Sequence, residues 1–171
     1  NSRHRVAEIC NYIGYDVAVI GNHDIEMGKR VFDKFVTECN YPILGANAID
    51  TATEEPYFQP YEIFYRQGLK IAVVGFITPA IPHWIPKKTW EGMRFEDIKE
   101  SAEKWVRIIQ EEEHPDYIVG LMHSGMNEGI VTPEYKENAT RETAESVEGF
   151  DLILYGHDHS SNIEEVVTKS G

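Results

Sequence analysis

Asp16-Val17-Ala18-Val19-Ile20-Gly21-Asn22-His23-Asp24 is the stretch on which the fold turns. Its apolar run is short enough for one buried parallel strand, and it leads from an aspartate through a glycine into a polar cluster that carries a histidine. The same order occurs twice more. Tyr117-Ile118-Val119-Gly120-Leu121 follows Asp116 and leads to Met122-His123-Ser124-Gly125; Leu152-Ile153-Leu154-Tyr155 follows Asp151 and leads to Gly156-His157-Asp158-His159. Parallel strands present their C-terminal ends together. If these three are neighbours in one sheet, residues far apart in sequence converge on one edge, where ligands bind in open α/β folds.

Working outward, Val6, Ile9, Cys10 and Ile13 recur at helical spacing and stop near Gly14, so a helix-to-strand unit precedes the first cluster. Val31, Phe32, Phe35 and Val36 share a helical face within about Gly28 to Glu38, and Tyr41 to Ala46 reads as a further strand. Tyr61 to Tyr65 and Lys70 to Phe76 flank Arg66-Gln67-Gly68-Leu69, a hairpin signal. The proline-rich stretch Thr78 to Gly92, with Trp84 and Trp90, predicts an ordered loop that the two indoles pack down. A long amphipathic helix is expected over Phe95 to Glu113, ended by Pro115, a weaker one over Ala139 to Val147, and a closing strand over Ile163 to Val167.

The chain has 171 residues, and its 16 basic against 29 acidic side chains give a net charge of -13. That balance argues against a nucleic-acid polymer as partner, because neutralising phosphates takes clustered Lys and Arg. It would also repel a small phosphorylated substrate unless bound divalent cations reverse the local potential. No run approaches the roughly 18 apolar residues of a membrane span. Cys10 and Cys39 are too few for a disulfide framework, and two buried free thiols are expected. Asn1-Ser2-Arg3-His4-Arg5 leads into a helix-like stretch rather than an apolar targeting segment, and the expectation is that sequence lies upstream. Oligomeric state is not readable.

Neutral imidazole with amide or carboxylate oxygen suits Zn, Mn or Fe, and loops at strand ends let such ligands reach inward. In Gly156-His157-Asp158-His159 an extended backbone would point the alternate histidines the same way, toward two cations a few ångströms apart. In order and spacing, the Gly21-Asn22-His23-Asp24, His123-Ser124-Gly125 and Gly156-His157-Asp158-His159 clusters resemble the last three motifs of the calcineurin-like metallophosphoesterases. Ile25-Glu26-Met27-Gly28 and Thr78-Pro79 resemble the bacterial 5′-nucleotidase and 2′,3′-cyclic-nucleotide phosphodiesterase branch.

The resemblance implies a partial four-layer α/β/β/α sandwich with mixed sheets, one partial catalytic domain over residues 1–171 that lacks the first two strands. It implies hydrolysis of nucleotide phosphoric esters with two divalent metal ions (Zn, Mn or Fe), and a periplasmic or secreted location. Asn22, His123 and His157 would ligate one cation and His159 the other. His23 would act on the substrate phosphate, oriented by Glu26 where the family usually has aspartate, with Asp24 a competing partner and Asp158 a supporting or solvated residue. The family's Asp-x-His and Gly-Asp motifs, which supply most ligands of the other cation, are absent here, and Asp16, Asp33, Asp50 and Asp97 have settings that explain them without metal. One cation or none is therefore expected in this chain, with at most residual phosphatase activity. The alternatives are a catalytically silent metal- or partner-binding module, and a related phosphoesterase for sugar nucleotides.

Overall fold

The computed structural model describes residues 3–168, and the elements follow in the order α1 (Arg5–Ile13), β1 (Ala18–Val19), α2 (Asn22–Glu26), α3 (Lys29–Glu38), β2 (Ile43–Leu44), β3 (Ala48–Asp50), β4 (Tyr61–Arg66), β5 (Leu69–Ile77), α4 (Ile81–Trp84), a 3-10 turn (Lys87–Thr89), β6 (Met93–Phe95), α5 (Ile98–Glu113), β7 (Tyr117–His123), α6 (Thr140–Ser146) and β8 (Leu152–Tyr155). This is a mixed α/β architecture built on several sheets. The largest orders its strands β4-β5-β7-β8, antiparallel at β4-β5 and parallel beyond. Gln67 and Gly68 sit at φ 52° and 86°, the left-handed pair that a two-residue hairpin turn needs. The aspartates that precede the strands fix register: Asp116 Oδ2 accepts from Lys70 N at 2.7 Å, and Asp151 Oδ2 from Ile118 N at 2.8 Å.

β1 does not join that sheet, which corrects the one-sheet expectation. It pairs in parallel with β2, Ala18 opposite Ile43, through the α3 crossover, and lies against β5 and β7 instead of beside β8. Close approach of the two layers depends on Gly75 of β5, where a Cβ would stand 2.4 Å from Leu44 Cβ. On the far side of the large sheet, α5 lays Ile98, Ala102, Trp105, Val106 and Ile109 over Ala72, Val74, Phe76, Ile118 and Met122. Asp97 caps this helix by accepting from Glu100 N at 3.1 Å, and His114 ends it at φ 48°. A second cluster joins Ile20, Ile25, Phe32, Phe35, Ile43, Phe58 and Ile77 beneath α1 and α3.

Four further local expectations are corrected. The 78–92 stretch is not all loop, because Pro82 stands in the first turn of α4, where its missing N–H costs nothing. Trp90 does pack the loop down, donating to Ile85 O at 2.9 Å, but Trp84 stays 43% exposed. Ile163 to Val167 forms no strand; Ile163 is 99% exposed and finds no apolar face to cover. Cys10 and Cys39 are free as expected but only half-buried.

The two thiols meet the Tyr41 hydroxyl between α1 and the end of α3. Burial, then hydrogen bonds with Cys39 and Cys10, push the Tyr41 phenol far above its ordinary 10.0, and burial raises the Cys39 thiol above 9.0. In the unfolded chain both groups ionise above their ordinary values while the folded chain holds its protons. The unfolded state then binds fewer protons, so stability falls as pH rises through that window. Urea midpoints measured from pH 8 to 10.5 should fall, and Tyr41→Phe should flatten the slope. Gly75→Ala forces a methyl against Leu44 and should lower unfolding free energy by about 1–3 kcal/mol, read in the same titration at pH 7.

Candidate metal centre

Although β1 and β7 belong to different sheets, their C-terminal ends meet. Gly21, at φ -114°, caps α2 and lies so close to β7 that a Cβ there would stand 2.9 Å from His123 Cε1. Asp24 Oδ2 accepts from Gly21 N at 2.9 Å, which closes the turn; burial raises its carboxyl above the ordinary range, opposed by that hydrogen bond. Asp24 is thus committed to the turn rather than to His23. The next residue, Asn22, aims Oδ1 at His123 Nε2, 2.7 Å away.

His123 ends β7, and its ring centroid lies 5.1 Å from that of His157. Burial first, then the neighbouring His157, His23 and His159, lower the His123 pKa to about 4, so the ring stays neutral with a lone pair to offer. Asp158 Oδ2 accepts from Met126 N at 3.0 Å, and Oδ1 accepts from Ser160 N and Oγ. Burial alone would raise the Asp158 carboxyl, but these hydrogen bonds outweigh it and hold it below its ordinary value. Asp158 therefore ties the loop after β8 to the loop after β7.

The Gly156–His159 segment is not extended. His157 adopts φ 96° and His159 φ 55°, so alternation along a strand does not set where the two rings point. Non-glycine residues in this region carry strain that persists only where surrounding structure imposes it. His159 is exposed, while His157 is held by Glu137, whose Oε1 lies 3.1 Å from Nε2, and by Trp84, whose ring centroid lies 5.7 Å away. Nothing in the local sequence marks Glu137, and Trp84, read as packing its own loop down, stands beside His157 instead. His23 is exposed on α2, and Glu26 Oε2 meets its Nδ1 at 2.9 Å, so the longer glutamate side chain spans the gap.

Two donors on one cation at about 2.1 Å each lie roughly 3 Å apart, close to the separation of Asn22 Oδ1 and His123 Nε2, where a cation would replace the hydrogen that Nε2 donates to the amide oxygen. With neutral His123 and the neighbouring His157, the donors are of the types that bind divalent metal ions. Among the described residues, no three His, Cys, Asp or Glu side chains are grouped to hold a metal, so the amide of Asn22 is needed to complete three ligands. The aspartates elsewhere are occupied: Asp16 pairs with Arg66, Asp33 accepts from the Tyr57 hydroxyl, Asp50 caps a turn at Ala52 N and Asp97 caps α5.

Comparison with known proteins gives the family. A family model described as calcineurin-like phosphoesterase matches residues 3–161. The chain is 38% identical over 113 residues to a 5′-nucleotidase of Vibrio cholerae, covering 66% of the chain and 20% of that relative. It is 30% identical over 168 residues to a 2′,3′-cyclic-nucleotide 2′-phosphodiesterase/3′-nucleotidase of Yersinia enterocolitica, covering 92% of the chain and 25% of that relative. The solved structure of calcineurin-like phosphoesterase YfkN from Bacillus subtilis superposes with a TM-score of 0.82 at 30% identity, over 93% of the chain and 49% of that structure. The chain spans about a quarter or less of the length of these two nucleotidase relatives. It belongs to the calcineurin-like phosphoesterase family.

Proposed function

We propose that the chain carries part of the active site of a divalent-metal-dependent phosphoric ester hydrolase that acts on nucleotides, of the 5′-nucleotidase or 2′,3′-cyclic-nucleotide phosphodiesterase type. The observation that carries this reading is the convergence of Asn22 Oδ1 on His123 Nε2 at 2.7 Å, with His157 beside them. Asn22, His123 and His157 would hold one cation, and His159 would contribute to another. Bound metal would supply positive charge to a phosphoryl oxygen and lower the pKa of a water nucleophile. It would also reverse the local sign of a chain whose net charge is -13.

His23 acts on the substrate side. Glu26 Oε2 accepts a hydrogen bond from Nδ1–H, which leaves Nε2 as the atom free to meet the ester, where an N–H would donate to a phosphate oxygen or to the leaving oxygen. The same reading includes export to the periplasm or cell exterior. A silent single-metal module is the second reading, favoured by the scarcity of carboxylate at the centre: among the described residues no group of three His, Cys, Asp or Glu is arranged for metal.

We expect this chain alone to hydrolyse nucleoside monophosphates and 2′,3′-cyclic nucleotides at no more than a residual rate. Added Mn should nevertheless raise its melting temperature, reversibly on chelation, by an amount equivalent to about 2.7 kcal/mol at a hundredfold excess over the dissociation constant. Gly21→Ala, which pushes on the His123 ring, should shrink that shift. Full hydrolytic activity of the chain with Mn would contradict the expectation that the site to which His159 contributes is incomplete here, and a melting temperature indifferent to Mn would remove the metal reading altogether.

A further inference from the structure

Glu137 is held more firmly than a loop carboxylate needs to be. Its backbone N donates to Ile130 O at 2.8 Å, and its carbonyl accepts from Thr78 Oγ1 at 3.0 Å and Ser124 Oγ at 2.9 Å, both on fully buried residues at the ends of β5 and β7. One carboxylate oxygen, Oε2, accepts from Ile130 N at 2.6 Å, which leaves Oε1 to face His157 Nε2 at 3.1 Å. Both side chains are sheltered, at 14% and 11% exposure. The carboxylate is therefore anchored to the same strand ends that carry the metal-binding cluster, and its free oxygen has one partner there.

We propose that Glu137 is a positioning residue that fixes His157 in the Nε2–H tautomer and so leaves Nδ1 as the nitrogen that binds metal. This rests on the reading of His157 as a ligand. An ionised carboxylate only accepts hydrogen bonds, so the imidazole nitrogen facing it carries the proton, and a neutral ring has only one. The lone pair is thereby placed on Nδ1. The His157 backbone at φ 96° and the flanking rings of Trp84 and His123 limit how far the imidazole can turn away from this contact. Such carboxylate-to-imidazole contacts fix ring orientation and raise ligand basicity in metal sites.

Glu137→Gln separates this role from support of the loop. The amide oxygen can still accept from Ile130 N, but the amide N–H2 then faces His157, donates to Nε2 and moves the ring proton to Nδ1. Long-range 15N–1H correlation spectra of the metal-free chain, assigned with His157→Gln, read the tautomer directly; calorimetric titration with Mn reads the affinity. The wild type should show the Nε2–H form. Glu137→Gln should show the Nδ1–H form and bind Mn about 10–100-fold more weakly. A wild-type Nδ1–H ring, or a folded Glu137→Gln protein with unchanged tautomer and unchanged Mn affinity, would overturn the proposal. An Nε2–H ring in a wild type that binds no Mn would refute the metal reading, and with it the purpose assigned to Glu137. Should Glu137→Gln fail to fold, the wild-type tautomer still decides.

Discussion

Everything at this centre depends on two separately hydrogen-bonded sheets coming close enough for the end of one to touch the end of the other. Gly75 lets β5 seat against Leu44, and Gly21 lets the turn after β1 rest on the His123 ring. A methyl group at either position would collide, with Leu44 in one case and with the candidate ligand in the other. Interiors packed to crystal-like density transmit such displacements rather than absorb them. The separation of Asn22 Oδ1 from His123 Nε2 is thus a consequence of layer packing and not of local sequence. Close packing also accounts for the neutral His123, since burial is the leading cause of its depressed pKa.

Elements with strong local signals were legible. The β4-β5 hairpin follows from alternating apolar residues around Gln67-Gly68, and α5 from a long apolar stripe stopped by Pro115, although the expected start at Phe95 falls in β6 and Asp97 is the cap. The sheet membership of β1 was not legible, because nothing in a short apolar run specifies whether its partner is β2 or β8. β3 and β6 escaped because three-residue strands carry no period to detect; they are defined only by pairing with each other, Ala48 opposite Phe95. α1 shows a limit of another kind. Its spacing does mark a helix, yet the residue it buries is Ala7, while Val6, Ile9 and Ile13 remain exposed.

The candidate site is proposed from its residue types, and its geometry was not legible in the sequence. Histidines at strand ends marked the place, but the left-handed conformations of His157 and His159 follow from loops that Asp158 and Glu137 tie together across the sheet. Contacts of that kind join residues without any periodic relation. The chemistry at these strand ends is asymmetric: the Asn22 amide meets the His123 imidazole with His157 and Glu137 beside them, while several aspartates are occupied elsewhere in caps, turns and ion pairs. Asp97 and Asp50 serve backbone N–H groups, and Asp16 serves Arg66.

Crystals of this chain soaked in Zn and measured on both sides of the zinc absorption edge offer the most direct test of convergence. One anomalous peak within bonding distance of Asn22 Oδ1, His123 Nε2 and His157 is the expected outcome. An absence of bound zinc there, or zinc held only by surface carboxylates, would overturn the claim that these strand ends build a metal centre.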